Sequence, residues 1–279
     1  MSTRILHVSD LHFGARNGLE EPGLERAIAD LVERVDPTLV IASGDLTHRG
    51  SHDQHEAAAE YLRGLGSPLF VVPGNHDIPL LPPPRFTHTW REFERQWVST
   101  QPVHSSPALQ VVGLNSVRPW RHQSGRVTDT QLDGATRRLQ EAEPGSLRVV
   151  VLHHQLVGAP WRSRKKPVAR RGDVLARLVD SGAELILSGH VHQGTVGERH
   201  EFEIVTGKAH SVVVATAPGL GRPRPNRRHE ARGVFVYVTD ERQIRVETYI
   251  WGGDSWGLTA VRTFPRGSDP FEVIEEGAN

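Results

Sequence analysis

The apolar positions of this chain change period several times from the N-terminus onward. "RILHVSD" (4–10) is a short apolar run of the kind that forms a buried strand. In "PGLERAIADLVERV" (22–35), Leu24, Ala27, Ile28, Leu31, Val32 and Val35 recur at helical spacing, and Pro22 suits a helix start. A run "LVIASGD" (39–45), a helical "HDQHEAAAEYLRGL" (52–65) and a run "LFVVPGNHD" (69–77) follow. This β-α-β-α-β alternation predicts a mainly parallel sheet covered on both faces.

Beyond residue 78 the pattern loosens. Residues 79–107, rich in Pro, Trp and charge, read as a loop carrying one short helix, and could form a cap or insert. Strands are then predicted at 109–116, 147–155 and 183–193, with helices near 129–142 and 173–180. In the last third, "IVTGKAHSVVVATAPG", "GVFVYVTD" and "IRVETYIWGG" read as three or more antiparallel strands completing a second sheet. The organisation expected is one domain over 1–265, followed by an acidic, loose tail from 266 to 279.

Composition narrows the chemistry. The 279 residues carry 33 Lys plus Arg against 33 Asp plus Glu, so net charge gives no pull toward a polyanion such as nucleic acid. Cysteine is absent, which removes disulfides, thiolate metal sites and cysteine nucleophiles. No stretch approaches the roughly 20 apolar residues of a membrane span, and the first residues lack a signal-peptide pattern. The expectation is a cytoplasmic protein. The 16 histidines become informative only where they cluster.

They cluster at strand ends. Five predicted strands finish in potential metal ligands: Asp10 and His12 in "SDLHFG", Asp45 in "SGDLT", Asn75 and His76 in "PGNHD", His153 and His154 in "VLHHQ", and His190 and His192 in "SGHVHQ". In an open α/β sheet, ligands bind beyond the carboxyl ends of the strands, so five such groups can meet in one crevice. Side chains two apart in extended chain point the same way. On that reading Asp10 and His12 reach one ion together, as do His190 and His192. Glycine precedes Asp45, Asn75 and His190, which suits close backbone approach. Each motif alone has an ordinary reading as a turn or a core histidine. Five in order do not, because burying so many polar groups without a compensating ion is costly.

In order and spacing, "DLHFG", "GD", "GNHD", "HH" and "GHVH" resemble the calcineurin-like metallophosphoesterases over about residues 4–193. "SGDLTHRG" and the compact length bring the chain nearest to the class III cyclic-nucleotide phosphodiesterase and glycerophosphodiesterase branch. One departure is Gln155, which stands where the family's fourth motif has proline. The resemblance implies an α/β fold, a four-layer α-β-β-α sandwich of two mixed sheets flanked by helices. It also implies two metal ions, of the Mn, Fe, Zn or Co type. One would be held by Asp10, His12 and His192 and the other by Asn75, His153 and His190, with Asp45 bridging and a metal-bridging hydroxide as nucleophile. His153 is preferred over His154 as the ligand. His76 becomes a general acid or transition-state stabiliser, with Asp77 orienting its ring.

The expected substrate is a small phosphodiester, cyclic nucleotides among them. Asn115, Arg118 and His48 are candidate substrate contacts, with His122 a similar guess, and the basic stretches 161–171 and 221–230 could reach a phosphate. The alternatives are a phosphomonoesterase or nuclease of the same superfamily, or a catalytically inactive metal-binding scaffold. A nuclease is disfavoured by balanced charge and the lack of a coiled-coil segment. A lapsed enzyme should lack ligands or His76, and all are present. Homo-oligomerisation stays open.

Overall fold

The computed structural model describes residues 3–16, 18–121, 123–159, 165–202, 209–221 and 230–266. In chain order its strands are β1 (Thr3–Val8), β2 (Leu39–Ala42), β3 (Leu69–Val71), β4 (Val103–Ser105), β5 (Leu109–Leu114), β6 (Leu147–Leu152), β7 (Leu185–Ser188), β8 (Thr195–Phe202), β9 (Ala209–Thr216), β10 (Gly233–Thr239), β11 (Gln243–Trp251) and β12 (Trp256–Pro265). Its helices are α1 (Pro22–Val35), α2 (His52–Gly64), α3 (Pro84–Thr87), α4 (Arg91–Trp97), α5 (Asp129–Gln140) and α6 (Arg171–Asp180).

The strands form two six-stranded mixed sheets, ordered β12-β11-β10-β1-β2-β3 and β4-β5-β6-β7-β9-β8. Within them β1, β2 and β3 run parallel, as do β5, β6, β7 and β9. Strand alternation explains the packing. Ile5, Ile41 and Phe70 of the first sheet meet Val111, Val149 and Leu187 of the second in one core between the sheets. The opposite faces bury against helices. Leu24, Ile28 and Leu31 of α1 join Val40 and Val236, while Leu132 and Leu178 of α5 and α6 join Val150 and Ile186. The layers are therefore α-β-β-α, as expected.

Helix α1 begins and ends where the apolar stripe predicts: Pro22 lies in its first turn, and Asp36 closes it in a left-handed conformation at φ 48°. Helix α5 starts on a capping box in which the Thr128 side chain accepts from the Gln131 N–H.

Two expectations are corrected. The late strands do not together complete the second sheet. β10 pairs antiparallel with β1 and carries β11 and β12 into the first sheet, whereas β9 runs parallel to β7. Which sheet a late strand joins depends on tertiary pairing, which alternation alone does not encode. Residues 79–107 hold two short helices and an edge strand rather than one helix in a loop. Phe93 of α4 is fully buried in the core under α1 and α2, and β4 pairs with β5, so the segment is woven into the sandwich. Residues 267–279 lie outside the described residues. Among those described, no helix is long and apolar enough to cross a membrane.

Candidate metal centre

The parallel strands stop earlier than their apolar runs suggest: β1 at Val8, β2 at Ala42, β3 at Val71 and β7 at Ser188. The residues that follow turn sharply. Asp10, His12, Asp45, His190 and His192 all have left-handed backbones, at φ 54°, 53°, 53°, 72° and 59°. A non-glycine residue in this region costs on the order of 1–3 kcal/mol and persists only where its surroundings fix it. Here backbone bonds fix it: Asp10 N–H donates to Gly44 O, His12 N–H to Asp45 O, and His190 N–H to the Asp10 carboxylate at 2.9 Å. The extended-chain argument for Asp10 with His12, and for His190 with His192, is thereby corrected. The pairs converge because successive left-handed turns carry them, not because a strand continues.

Glycine appears where backbone and ligand crowd. A Cβ on Gly189 would sit 1.9 Å from Ser9 Oγ and 2.7 Å from Asp10 Oδ2, and one on Gly74 would sit 2.3 Å from Asp45 Oδ1. No larger residue fits without moving a ligand candidate.

Two groups of donors result, both buried. In the first, His192 Nε2 lies 2.9 Å from Asp10 Oδ1 and 3.3 Å from His12 Nε2. The second comprises Asp45, His153 and His190. Asp45 Oδ2 links the two, 3.2 Å from His153 Nε2 and 3.9 Å from His12 Nε2. Asn75 is buried at the neighbouring strand end, beside Gly74, and its Oδ1 has no hydrogen-bond partner. Asp10 Oδ1 and Asp45 Oδ2 likewise make no hydrogen bond.

Ring nitrogens sharpen the picture. His153 Nδ1 donates to the Ser43 carbonyl at 2.8 Å, and His190 Nε2 donates to the Gln123 carbonyl at 3.2 Å. In neutral rings both protons are then spoken for. The facing nitrogens, His153 Nε2 and His190 Nδ1, point lone pairs at each other across 3.2 Å, with Asp45 Oδ2 alongside. Such an arrangement asks for a shared cation. Oxygen and imidazole donors with no sulfur fit a hard or borderline divalent ion.

The electrostatics agree. Burial opposes charge on Asp10 and Asp45, yet the imidazoles around them prevail and hold both carboxyls well below their usual range. Burial also opposes a proton on His153, but Asp45 outweighs it and raises that ring to about 9. Burial drives His12 down to about 3 and holds His190 well below its ordinary value. A proton on His153 does for the bare cluster what a cation would do.

His154, the less favoured of its pair, turns away: its Nδ1 lies 2.9 Å from Ser116 Oγ. Gln155, in the position of the family's proline, is buried with neither side-chain polar atom bonded. His76 is half-buried at the cluster's edge. Its Nδ1 donates to His48 O at 2.8 Å, which leaves Nε2 available. The His48 ring lies nearly parallel to it at 5.9 Å, and His12 meets it edge-on at 4.9 Å. The role expected for Asp77 is corrected by this geometry. The Asp77 carboxylate accepts from Gly74 N–H, Thr47 N–H and Thr47 Oγ1. It braces the β2 and β3 exit loops against each other, while a backbone carbonyl orients the His76 ring.

Of the three expected substrate contacts, only His48 adjoins His76. Asn115 Oδ1 accepts from Val117 N–H, and Arg118 spans Asn115 O, Val117 O and Gln131 Oε1, so both hold the loop after β5 together. Sequence reasoning missed Lys165, whose ammonium donates to the His190 carbonyl. Its only signal was membership of a basic run. His122, residues 160–164 and residues 222–229 lie outside the described residues.

Residues 3–194 match the calcineurin-like phosphoesterase family, and the chain belongs to that family of phosphoric ester hydrolases, which uses divalent metal ions. A probable cyclic nucleotide phosphodiesterase of Synechococcus sp. is 28% identical over 207 residues, 71% of this chain and 77% of the relative. The 3′,5′-cyclic adenosine monophosphate phosphodiesterase of Haemophilus influenzae is 23% identical, covering 72% of this chain and 74% of its own. A probable glycerophosphodiester phosphodiesterase of Arcobacter nitrofigilis is 29% identical over 40% of this chain and 43% of its own length. The motif-based resemblance to these branches is thus borne out. Among solved structures, a purple acid phosphatase from yellow lupin superposes with a TM-score of 0.65 at 14% identity. The match covers 94% of this chain and 53% of that one, so the chain spans about half the length of that phosphatase, and the likeness concerns the fold.

Proposed function

We propose that the chain hydrolyses small phosphodiesters, cyclic nucleotides among them, at a two-metal centre. Asp10, His12 and His192 would hold one ion and Asn75, His153 and His190 the other, with Asp45 shared. The observation that carries this reading is the approach of His153 Nε2 and His190 Nδ1 to 3.2 Å beside the unbonded oxygen of Asp45. Ions of the Mn, Fe, Zn or Co type bound there would lower the pKa of water toward neutrality and draw charge from the phosphate oxygens.

The chain's own residues supply the rest. His76 Nε2 is the nitrogen left to face a phosphate oxygen or the leaving group, and because the Nδ1 proton is committed to His48 O, it donates there as the doubly protonated imidazolium. His48, stacked on His76, flanks the same opening and is a candidate substrate contact. Asp77 acts on His76 only through the backbone it braces, since Thr47 Oγ1, which donates to it, also donates to His76 O at 2.8 Å. The preference for diesters follows relatives named as phosphodiesterases.

The test is Mn²⁺-dependent hydrolysis of bis(p-nitrophenyl) phosphate against p-nitrophenyl phosphate, with Asp45→Ala and His76→Ala as controls. Diester preference lost in both variants supports the proposal. Monoester preference would move the enzyme to the phosphatase reading. Failure to bind metal would overturn the centre itself.

A further inference from the structure

The core between the two sheets holds a buried imidazole on β1. Along β1, Ile5 and His7 face that core by strand alternation, and His7 sits where a second branched aliphatic would be expected. It is fully buried, opposite Phe235 in the β1–β10 ladder and Ile41 in the β1–β2 ladder. Burying an imidazole there is costly unless both nitrogens are bonded. Both are: Nδ1 lies 3.2 Å from the Tyr237 hydroxyl and Nε2 lies 2.9 Å from Ser43 Oγ.

Satisfying a core histidine could be the whole story, were it not for Ser43. That residue follows the last residue of β2 and stands two before Asp45. Its backbone carbonyl is the acceptor that holds His153 Nδ1 at 2.8 Å. Tyr237, His7, Ser43 and His153 thus form a continuous buried line from the first sheet to the second. Its end fixes which nitrogen of His153 faces Asp45 and His190. Apolar side chains at positions 7 and 237 would fill the same space but leave the Ser43 hydroxyl without its imidazole partner, so that the exit it begins would rest on backbone bonds such as Ser43 N–H to Val8 O alone.

We propose that His7 is a positioning residue for the metal centre: tied to Tyr237, it clamps Ser43, and through the Ser43 carbonyl it sets the His153 ring. The inference rests on the two-metal reading above and singles out one ion of the pair, the one held by Asp45, His153 and His190. Groups that orient a ligating histidine typically contribute about 10–100-fold to metal affinity. His7 acts one residue further out, so the expected loss is about tenfold.

The experiment compares wild type with His7→Phe, Ser43→Ala, the double variant and His7→Gln. Co²⁺ titration followed by visible absorption reads each binding step, and the thermal midpoint of the metal-free chain reads stability. The glutamine amide nitrogen can take the place of His7 Nε2 toward Ser43. The expected result has three parts. His7→Phe and Ser43→Ala each weaken one binding step about tenfold and spare the other. The double variant loses no more than either single, because both cut one line. His7→Gln keeps wild-type affinity. Two weakened steps tracking a lowered thermal midpoint would make His7 merely structural and overturn the proposal. So would additive losses, or unchanged affinities in Ser43→Ala, which tests the link if His7→Phe does not fold. A wild-type chain that binds no Co²⁺ would sink the metal-centre reading instead, a result distinct from these.

Discussion

Asp45 Oδ2 stands 3.2 Å from His153 Nε2, while the other oxygen of the same carboxylate takes the His76 backbone N–H at 2.8 Å. One buried side chain thus joins the proposed metal cluster to the residue proposed to serve the leaving group. Both functions depend on the exit of β2, and four measurements probe how that dependence is built.

Metal uptake should release a proton. With His153 at about 9 in the bare cluster, this ring is protonated at neutral pH and must lose its proton before Nε2 can ligate. Below the pH at which metal-bound water ionises, apparent affinity at this site should rise about tenfold per pH unit. Calorimetric titration of Zn²⁺ in buffers of different ionisation enthalpy checks this. About one proton released at pH near 6.5, before metal-bound water adds its own, is the expected pattern, and no release there or pH-independent affinity would refute it.

His76 should matter to turnover and not to metal loading. His76→Ala is expected to lower kcat by about 10²–10⁴ while bound metal stays at the wild-type level. The loss should be smaller for a p-nitrophenolate leaving group than for an alkoxide, since the poorer leaving group needs the proton more. Equal losses on both esters would argue for phosphate binding by His76 instead of proton donation.

Glycines on this scaffold separate by what a methyl group would meet. Gly189→Ala places a Cβ against Ser9 Oγ and Asp10 Oδ2, so a destabilisation of about 1–3 kcal/mol with impaired metal binding is expected. Gly134, inside α5, has nothing within 4 Å of where an added methyl group would sit, and Gly134→Ala should stabilise by about 0.5–1 kcal/mol. Urea denaturation of both variants decides, and similar effects at the two sites would contradict the packing described.

Acid should weaken the metal-free chain well before its carboxylates titrate. Burial lowers the His7 pKa from 6.5 to about 3, with Asp10 pulling weakly the other way. Below pH 6.5 the unfolded chain takes up a proton that the folded chain refuses, so the unfolded state binds more protons and stability falls as pH falls. The slope from this group is about 1.4 kcal/mol per pH unit between 6.5 and 3, and stability should be insensitive to it above 6.5. Urea midpoints at pH near 7.5, 6 and 5 should show this decline, and His7→Gln should make it shallower. Identical slopes in the two proteins would count against it.

Much of this architecture is legible in the chain. The stripe of Leu24, Ile28 and Leu31 gives α1, and the five polar strand ends give nine potential ligands, which the family resemblance narrows to seven, because residue type and order survive folding unchanged. The means of convergence is not legible. Period-two reasoning presumes that a strand continues, and at Asp10 and His190 it has already stopped. Asp77 misleads for a related reason: adjacency in sequence suggests the His76 ring as its partner, whereas the folded loops give its carboxylate three other donors. His7 gives no signal at all, since an isolated histidine in an apolar run looks like any core residue. Its meaning depends on Ser43, 36 positions away.

The left-handed residues carry a consequence for anyone who would move this site elsewhere. An Asp-x-His pair grafted onto the end of an ordinary strand would keep the right side chains and the wrong directions. A transplant has to bring the paired turns, with Gly44 O and Asp45 O receiving the Asp10 and His12 amides, before any ligand is chosen. By the same logic, a search for unrecognised relatives would do better to match the dihedral angles of these exits than to match their letters.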